Sequence, residues 1–133
     1  MNSADTVAVD GQWNKPPIGR RWLRVARWSV VGLVVVFTIF HVHTATVGTR
    51  HVKAAILAET TAEYRSLKSR APGAIDPNFP GPNFRVCRAV FPGIIECNYT
   101  VHYGGKAGGE YESQYWWNGL SCQRRKHKVL AMY

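Results

Sequence analysis

A chain of 133 residues with 17 Lys and Arg against 8 Asp and Glu carries a formal charge of +9, and close to half of its residues are apolar. That length leaves room for one small domain and no more, and the supply of aromatic and β-branched residues excludes a wholly disordered chain. The base is shared between Arg20 to Arg27 and Arg124 to Lys128, so it does not describe one nucleic-acid-binding face, and no nucleic-acid partner is expected.

Residues 1–27 read as a basic tail. Gly11, Pro16, Pro17 and Gly19 stand among small polar residues with no apolar periodicity, which predicts a largely disordered segment. The run from Trp28 to Phe40 is then free of charge, and its apolar character extends through His41, Val42, His43 and Ala45 to Val47. About twenty residues at ~1.5 Å rise match ~30 Å of hydrocarbon, so 28–47 is predicted to be a transmembrane signal anchor in contact with membrane lipid. Lys15, Arg20, Arg21, Arg24 and Arg27 precede the span, whereas only Arg50 and Lys53 closely follow it. Basic residues are retained inside, so the N-terminus is expected in the cytoplasm and the C-terminal domain outside it, in the periplasm or at the cell exterior. A soluble core helix and a cleaved signal peptide, the latter with a twin-arginine pair at Arg20-Arg21, are the alternatives.

His41, His43 and His51 suggest a metal site only at first sight. Residues two apart on a helix point to different sides, so interfacial imidazoles are the simpler reading and neither metal nor cofactor is expected.

From 48 to 71 the pattern is that of an outer amphipathic helix: Val52, Ile56, Thr60, Tyr64 and Leu67 recur at helical spacing, and Ala71, Pro72 and Gly73 stop it. Residues 72–83 form a stiff Pro/Gly connector. Beyond it, 84–133 is predicted to be an antiparallel β domain. Phe84, Val86 and Val90 supply one dry face of a first strand, and Ile95, Cys97, Tyr99, Val101 and Tyr103 that of a second, across a turn at Pro92-Gly93. Gly104 to Gly109 reads as a flexible loop, since no Gly-Lys-Ser or Gly-Lys-Thr is present to make it a phosphate cradle. A third strand is expected from Glu110 to Trp117, and Asn118-Gly119 predicts a two-residue type I′ turn into Leu120 to Gln123, placing Cys122 opposite Tyr115. The fold class is thus α+β: a single transmembrane helix continuing into an outer helix packed on a small antiparallel sheet of three or four strands. In outline this is similar to pilin-like subunits, but their leader glycine followed by Phe and a glutamate is not found near the apolar start, and no family is assigned.

Three cysteines outside the cytoplasm imply one disulfide and one leftover thiol; adjacent strands favour Cys87 with Cys97, given an odd-length turn, and Cys97 with Cys122 is the alternative if the fourth strand does not form. A thiol nucleophile built from Cys97 or Cys122 with His102 and Asp76 lacks any recognisable catalytic spacing, and Glu96, Glu110 and Glu112 fall on solvated strand faces, so no catalytic residues and no small-molecule substrate are assigned. Asn98-Tyr99-Thr100 fits the N-glycosylation acceptor pattern. Partner contact is expected from Tyr111, Tyr115, Trp116 and Trp117 together with Arg124, Arg125 and Lys126, and strand alternation requires one of the two tryptophans to point away from the core. The expected function is a membrane-anchored accessory or protein-interaction subunit of a membrane or envelope complex. A carbohydrate-binding module is the alternative, and a small enzyme the third.

Overall fold

Apolar residues at helical spacing before Gly73 and at strand spacing after Pro82 demand a helix whose stripe is buried against a sheet, and the computed structural model, which describes residues 19–105 and 107–133, has that architecture. The fold is α+β. Helix α1 (Arg20–His43) passes through a five-residue π-helical turn (Thr44–Gly48) into α2 (Thr49–Arg70), and strands β1 (Asn83–Phe91), β2 (Ile94–Gly104), β3 (Ala107–Trp117) and β4 (Cys122–Met132) follow. The four strands form one antiparallel meander in the order β1-β2-β3-β4. By contacts the chain divides into residues 1–34 and 35–133.

In the first unit the described residues are helical from Arg20, with Trp22, Leu23, Val25, Trp28, Val30, Val31, Leu33 and Val34 exposed. The expectation of a disordered tail therefore fails over 20–27, because Trp22, Leu23 and Val25 extend the apolar pattern at helical spacing; the remainder of that expectation, 1–18, lies outside the described residues, as does Lys106 of the glycine-rich loop. The continuous helix Arg21–Arg70, of which this is the start, is long and apolar enough to cross a membrane.

In the second unit, Val52, Ile56, Thr60 and Tyr64 of α2 are buried as their spacing requires. They meet Ile95, Cys97, Tyr99, Val101 and Tyr103 of β2 and Tyr115 and Trp117 of β3. The connector is tied down at its middle: Ile75 is buried and the Asp76 N–H donates to the Tyr103 carbonyl at 2.9 Å. Tyr64 reaches it from the helix, its hydroxyl donating to the Asp76 carbonyl at 2.7 Å. At the other end Gly48 lets the helix approach the sheet, since a Cβ there would lie 2.9 Å from Ile95 Cδ1.

Bulges correct the expected alternation of β1. Register shifts between Phe84 and Val86 and between Ala89 and Phe91 put Phe84, Cys87 and Ala89 on the helix side, and leave Val86 and Val90 exposed. The turn is also two residues long rather than odd, with Phe91 opposite Ile94, and the extra residue Val90 is what brings Cys87 opposite Cys97. These two cysteines form the disulfide, and Cys122 is free.

The β3–β4 connection differs too. Asn118 to Ser121 make a four-residue loop in which Asn118 Oδ1 accepts from the Leu120 and Ser121 N–H groups at 3.0 and 2.8 Å, so Cys122 pairs with Trp117 and not with Tyr115. An Asn side chain that caps the amides two and three residues on closes a wider loop than a type I′ turn allows. Strand β4 consequently runs on from Gln123 through the whole basic segment to Met132. Gly108 and Gly109 lie inside β3 rather than in a loop; at Gly109 a Cβ would crowd the Ala131 carbonyl at 2.8 Å. The edge strands carry bulges, at Arg85 and Val90 in β1 and at Arg125 and Leu130 in β4, and β4 adds a run of base, both of which oppose pairing with another sheet.

Candidate interaction surface

The residues expected to contact a partner are split by the pleat. Trp117 is 1% exposed and Tyr115 4%, so both belong to the core and not to a surface, whereas Trp116 is 53% exposed on the opposite face. Trp117 is gripped by three helical residues: its ring stacks on His51 at 5.0 Å and on His43 at 6.0 Å, its Nε1–H is directed at His43 Nδ1 at 3.4 Å, and it covers Gly48. His43 and His51 are thus indole partners. Among the described residues no group of three or more His, Cys, Asp and Glu is placed to hold a metal ion. Tyr111 is half-buried between Tyr99 and His127, with ring centroids at 5.5 and 5.3 Å.

The basic residues divide in the same way. Arg124 turns toward the helix and pairs with Glu59 at 2.7 Å, both groups being partly solvated, so this pair adds little stability. Arg125 lies at a bulge with its guanidinium 5.6 Å from the centre of the Trp116 ring. Lys126 points to the far face. There it joins Lys128, Glu96, Glu112 and Gln114 around a groove of about 190 Å³, with Gln114 donating to Glu96 at 3.1 Å. Arg85 pairs with Glu110 at 2.6 Å beside it. Asn98, the acceptor-pattern residue, sits on this face in the second strand, opposite Glu112.

Two features were not legible in the residue pattern. Ser113 and His127 share a hydrogen bond of 2.8 Å, which follows only from the pairing of β3 with β4, and Ser113 is only 1% exposed. A larger open groove of about 620 Å³ lies between Leu57, Thr61, Tyr64 and Arg65 of α2 and the connector from Pro77 to Gly81, where Phe79 stacks on Tyr64 at 4.8 Å. Prolines marked the connector, but nothing in the sequence says that it folds back along α2.

Burial perturbs the tyrosines. Desolvation raises Tyr99, Tyr103, Tyr111 and Tyr115 above the usual phenol value, Tyr115 to about 12. At Tyr103 the hydroxyl also donates to Glu63 at 2.6 Å, which further favours the neutral phenol.

Compared with known protein families, curated proteins and solved structures, the chain matches none of them.

Proposed function

We propose that this chain is a single-pass membrane protein with its N-terminus in the cytoplasm, whose disulfide-stabilised domain stands outside and serves as an accessory or protein-interaction subunit of a membrane or envelope complex. The observation that carries the anchor is exposure. In the most apolar stretch of the helix only 6% of residues are buried, whereas a helix serving as the core of a soluble domain has its apolar side chains covered. Orientation rests on Arg20, Arg21, Arg24 and Arg27 at the inner end, and an oxidising exterior suits the Cys87–Cys97 bridge.

The interaction role rests on β4. Lys126 and Lys128 on one side and exposed Val129, Leu130, Met132 and Tyr133 toward the chain's end combine charge with uncovered apolar area, the mixture found in protein interfaces. Alkaline carbonate extraction of membranes, with impermeant maleimide labelling of a Gly73→Cys, Cys122→Ser double variant in intact cells, tests the anchor and its direction. Retention in the membrane and labelling before lysis are expected; release, or labelling only after lysis, overturns the reading. Detergent co-purification with a Lys126→Glu, Lys128→Glu variant tests the interaction role, which predicts loss of a co-purifying membrane protein from the variant.

A further inference from the structure

Two hairpin ends meet the helix at one level. Phe91, the last residue of β1, packs edge-on to Phe37 with ring centroids 5.5 Å apart. Phe40 lies beside both connections: a Cβ on Gly93 would be 3.4 Å from its ring, and one on Gly119 3.9 Å. The β1–β2 turn is pinned there, because the Gly93 N–H donates to Thr44 Oγ1 at 3.1 Å and the Trp117 N–H donates to the Gly93 carbonyl at 2.7 Å. Thr44 is itself held, its hydroxyl donating to the Phe40 carbonyl at 2.8 Å. The hairpin ends are therefore fixed beside residues 37–44, inside the apolar run.

What these ends expose is unusual for turns, where small polar residues are the rule. Phe91 and Trp116 are each 53% exposed and Leu120 is 88% exposed, and the adjoining helix shows Val36, Phe37 and Ile39. Arg125 sets a cation over the Trp116 ring. An aromatic belt with a basic residue beside it is the chemistry of a bilayer interface, where an indole lies at headgroup depth and a guanidinium meets phosphate.

We propose that the ends of both hairpins, through Phe91, Trp116 and Leu120, form a lipid-contact surface that seats the domain in the outer headgroup layer of the bilayer that holds its own helix. This rests on the membrane-anchored reading above. It also moves the outer limit of the span. With the hairpin ends at headgroup depth beside Phe37, Phe40 and Thr44, the part of the helix within the hydrocarbon ends near Phe40 and not at Val47. A stretch from Trp22 to Phe40 is 19 residues, or ~28 Å at ~1.5 Å each, close to the ~30 Å needed. Arg24 and Arg27 then lie near the inner face, where long basic side chains reach back to water.

The test uses the full chain in phosphatidylcholine vesicles containing a fifth phosphatidylglycerol, with Cys122→Ser, the disulfide intact, and an environment-sensitive fluorophore on one introduced cysteine at a time. Leu120→Cys and Trp116→Cys probe the surface, Gly73→Cys is the distant control, and Leu33→Cys probes the anchor. Nitroxide lipids labelled at the headgroup should quench the probes at 120 and 116 at least twofold more than the probe at 73, while lipids labelled deep in the acyl chain quench the probe at 33. If 33 is quenched and 120 and 116 stay as aqueous as 73, the lipid surface is overturned and the anchor stands, leaving those side chains to a protein partner. If 33 is itself aqueous, the anchor fails and this inference with it.

Discussion

Gly48 lies against Trp117 so closely that a Cβ on the glycine would stand 3.0 Å from the indole Cγ. The glycine is in a π-helical turn with ordinary helical dihedrals, so its smallness and not its backbone freedom is what the site uses. Gly48→Ala should gain up to ~1 kcal/mol of helix propensity and lose ~1 to 3 kcal/mol through overpacking, and Gly48→Leu should lose more. Denaturant unfolding of the detergent-solubilised chain measures the sum; a Leu variant as stable as the parent would mean that the helix does not contact the sheet here.

The tryptophans should separate cleanly. Trp117→Ala removes a fully buried indole and should cost ~3 to 5 kcal/mol, whereas Trp116→Ala should change stability by under ~1 kcal/mol in detergent. Thermal unfolding of both variants decides it, and equal losses would contradict the assignment of the two faces.

Reducing the Cys87–Cys97 bridge opens a loop of short sequence separation, 10 residues, and should lower stability by ~2 to 3 kcal/mol on the chain-entropy model. Peptide mapping without reductant should recover these two cysteines joined and Cys122 alkylated. Recovery of Cys122 in the bridge would contradict the register of β1 on β2.

Stability should fall at alkaline pH. Tyr99, Tyr103 and Tyr115 are buried and hold their protons more tightly in the fold than the ~10 of an unfolded tyrosine. Below pH ~9 both states are protonated and these groups add no pH dependence. Above ~10 the unfolded chain releases protons that the folded chain keeps, so each tyrosine lowers stability by up to ~1.4 kcal/mol per pH unit until its folded value is passed, about 12 for Tyr115. Following phenolate absorbance with the unfolding transition between pH 9 and 12 checks this. Tyr103→Phe should flatten the slope, and an unchanged slope would exclude that residue as a contributor.

Much of the fold was legible because period reports burial directly. Val52, Ile56, Thr60 and Tyr64 on the helix, and Ile95 through Tyr103 at every second position, announced their buried faces, and the alternation of Trp116 with Trp117 required one indole to point outward. Cysteine count and strand adjacency pointed to Cys87 with Cys97, but the odd-length turn expected to align them is two residues long, and the bulge at Val90 aligns them instead. Register was not legible, because a single extra residue shifts every partner beyond it: the bulge at Val90 and the wider loop capped by Asn118 were chosen by which pairings best bury Cys97, Tyr115 and Trp117 under the helix. For the same reason the basic segment showed itself only as charge, and tertiary structure decided that Arg124 turns to Glu59, Arg125 to Trp116 and Lys126 to the far face. The level at which Phe91 meets Phe37 is likewise a long-range packing outcome, which no local pattern encodes.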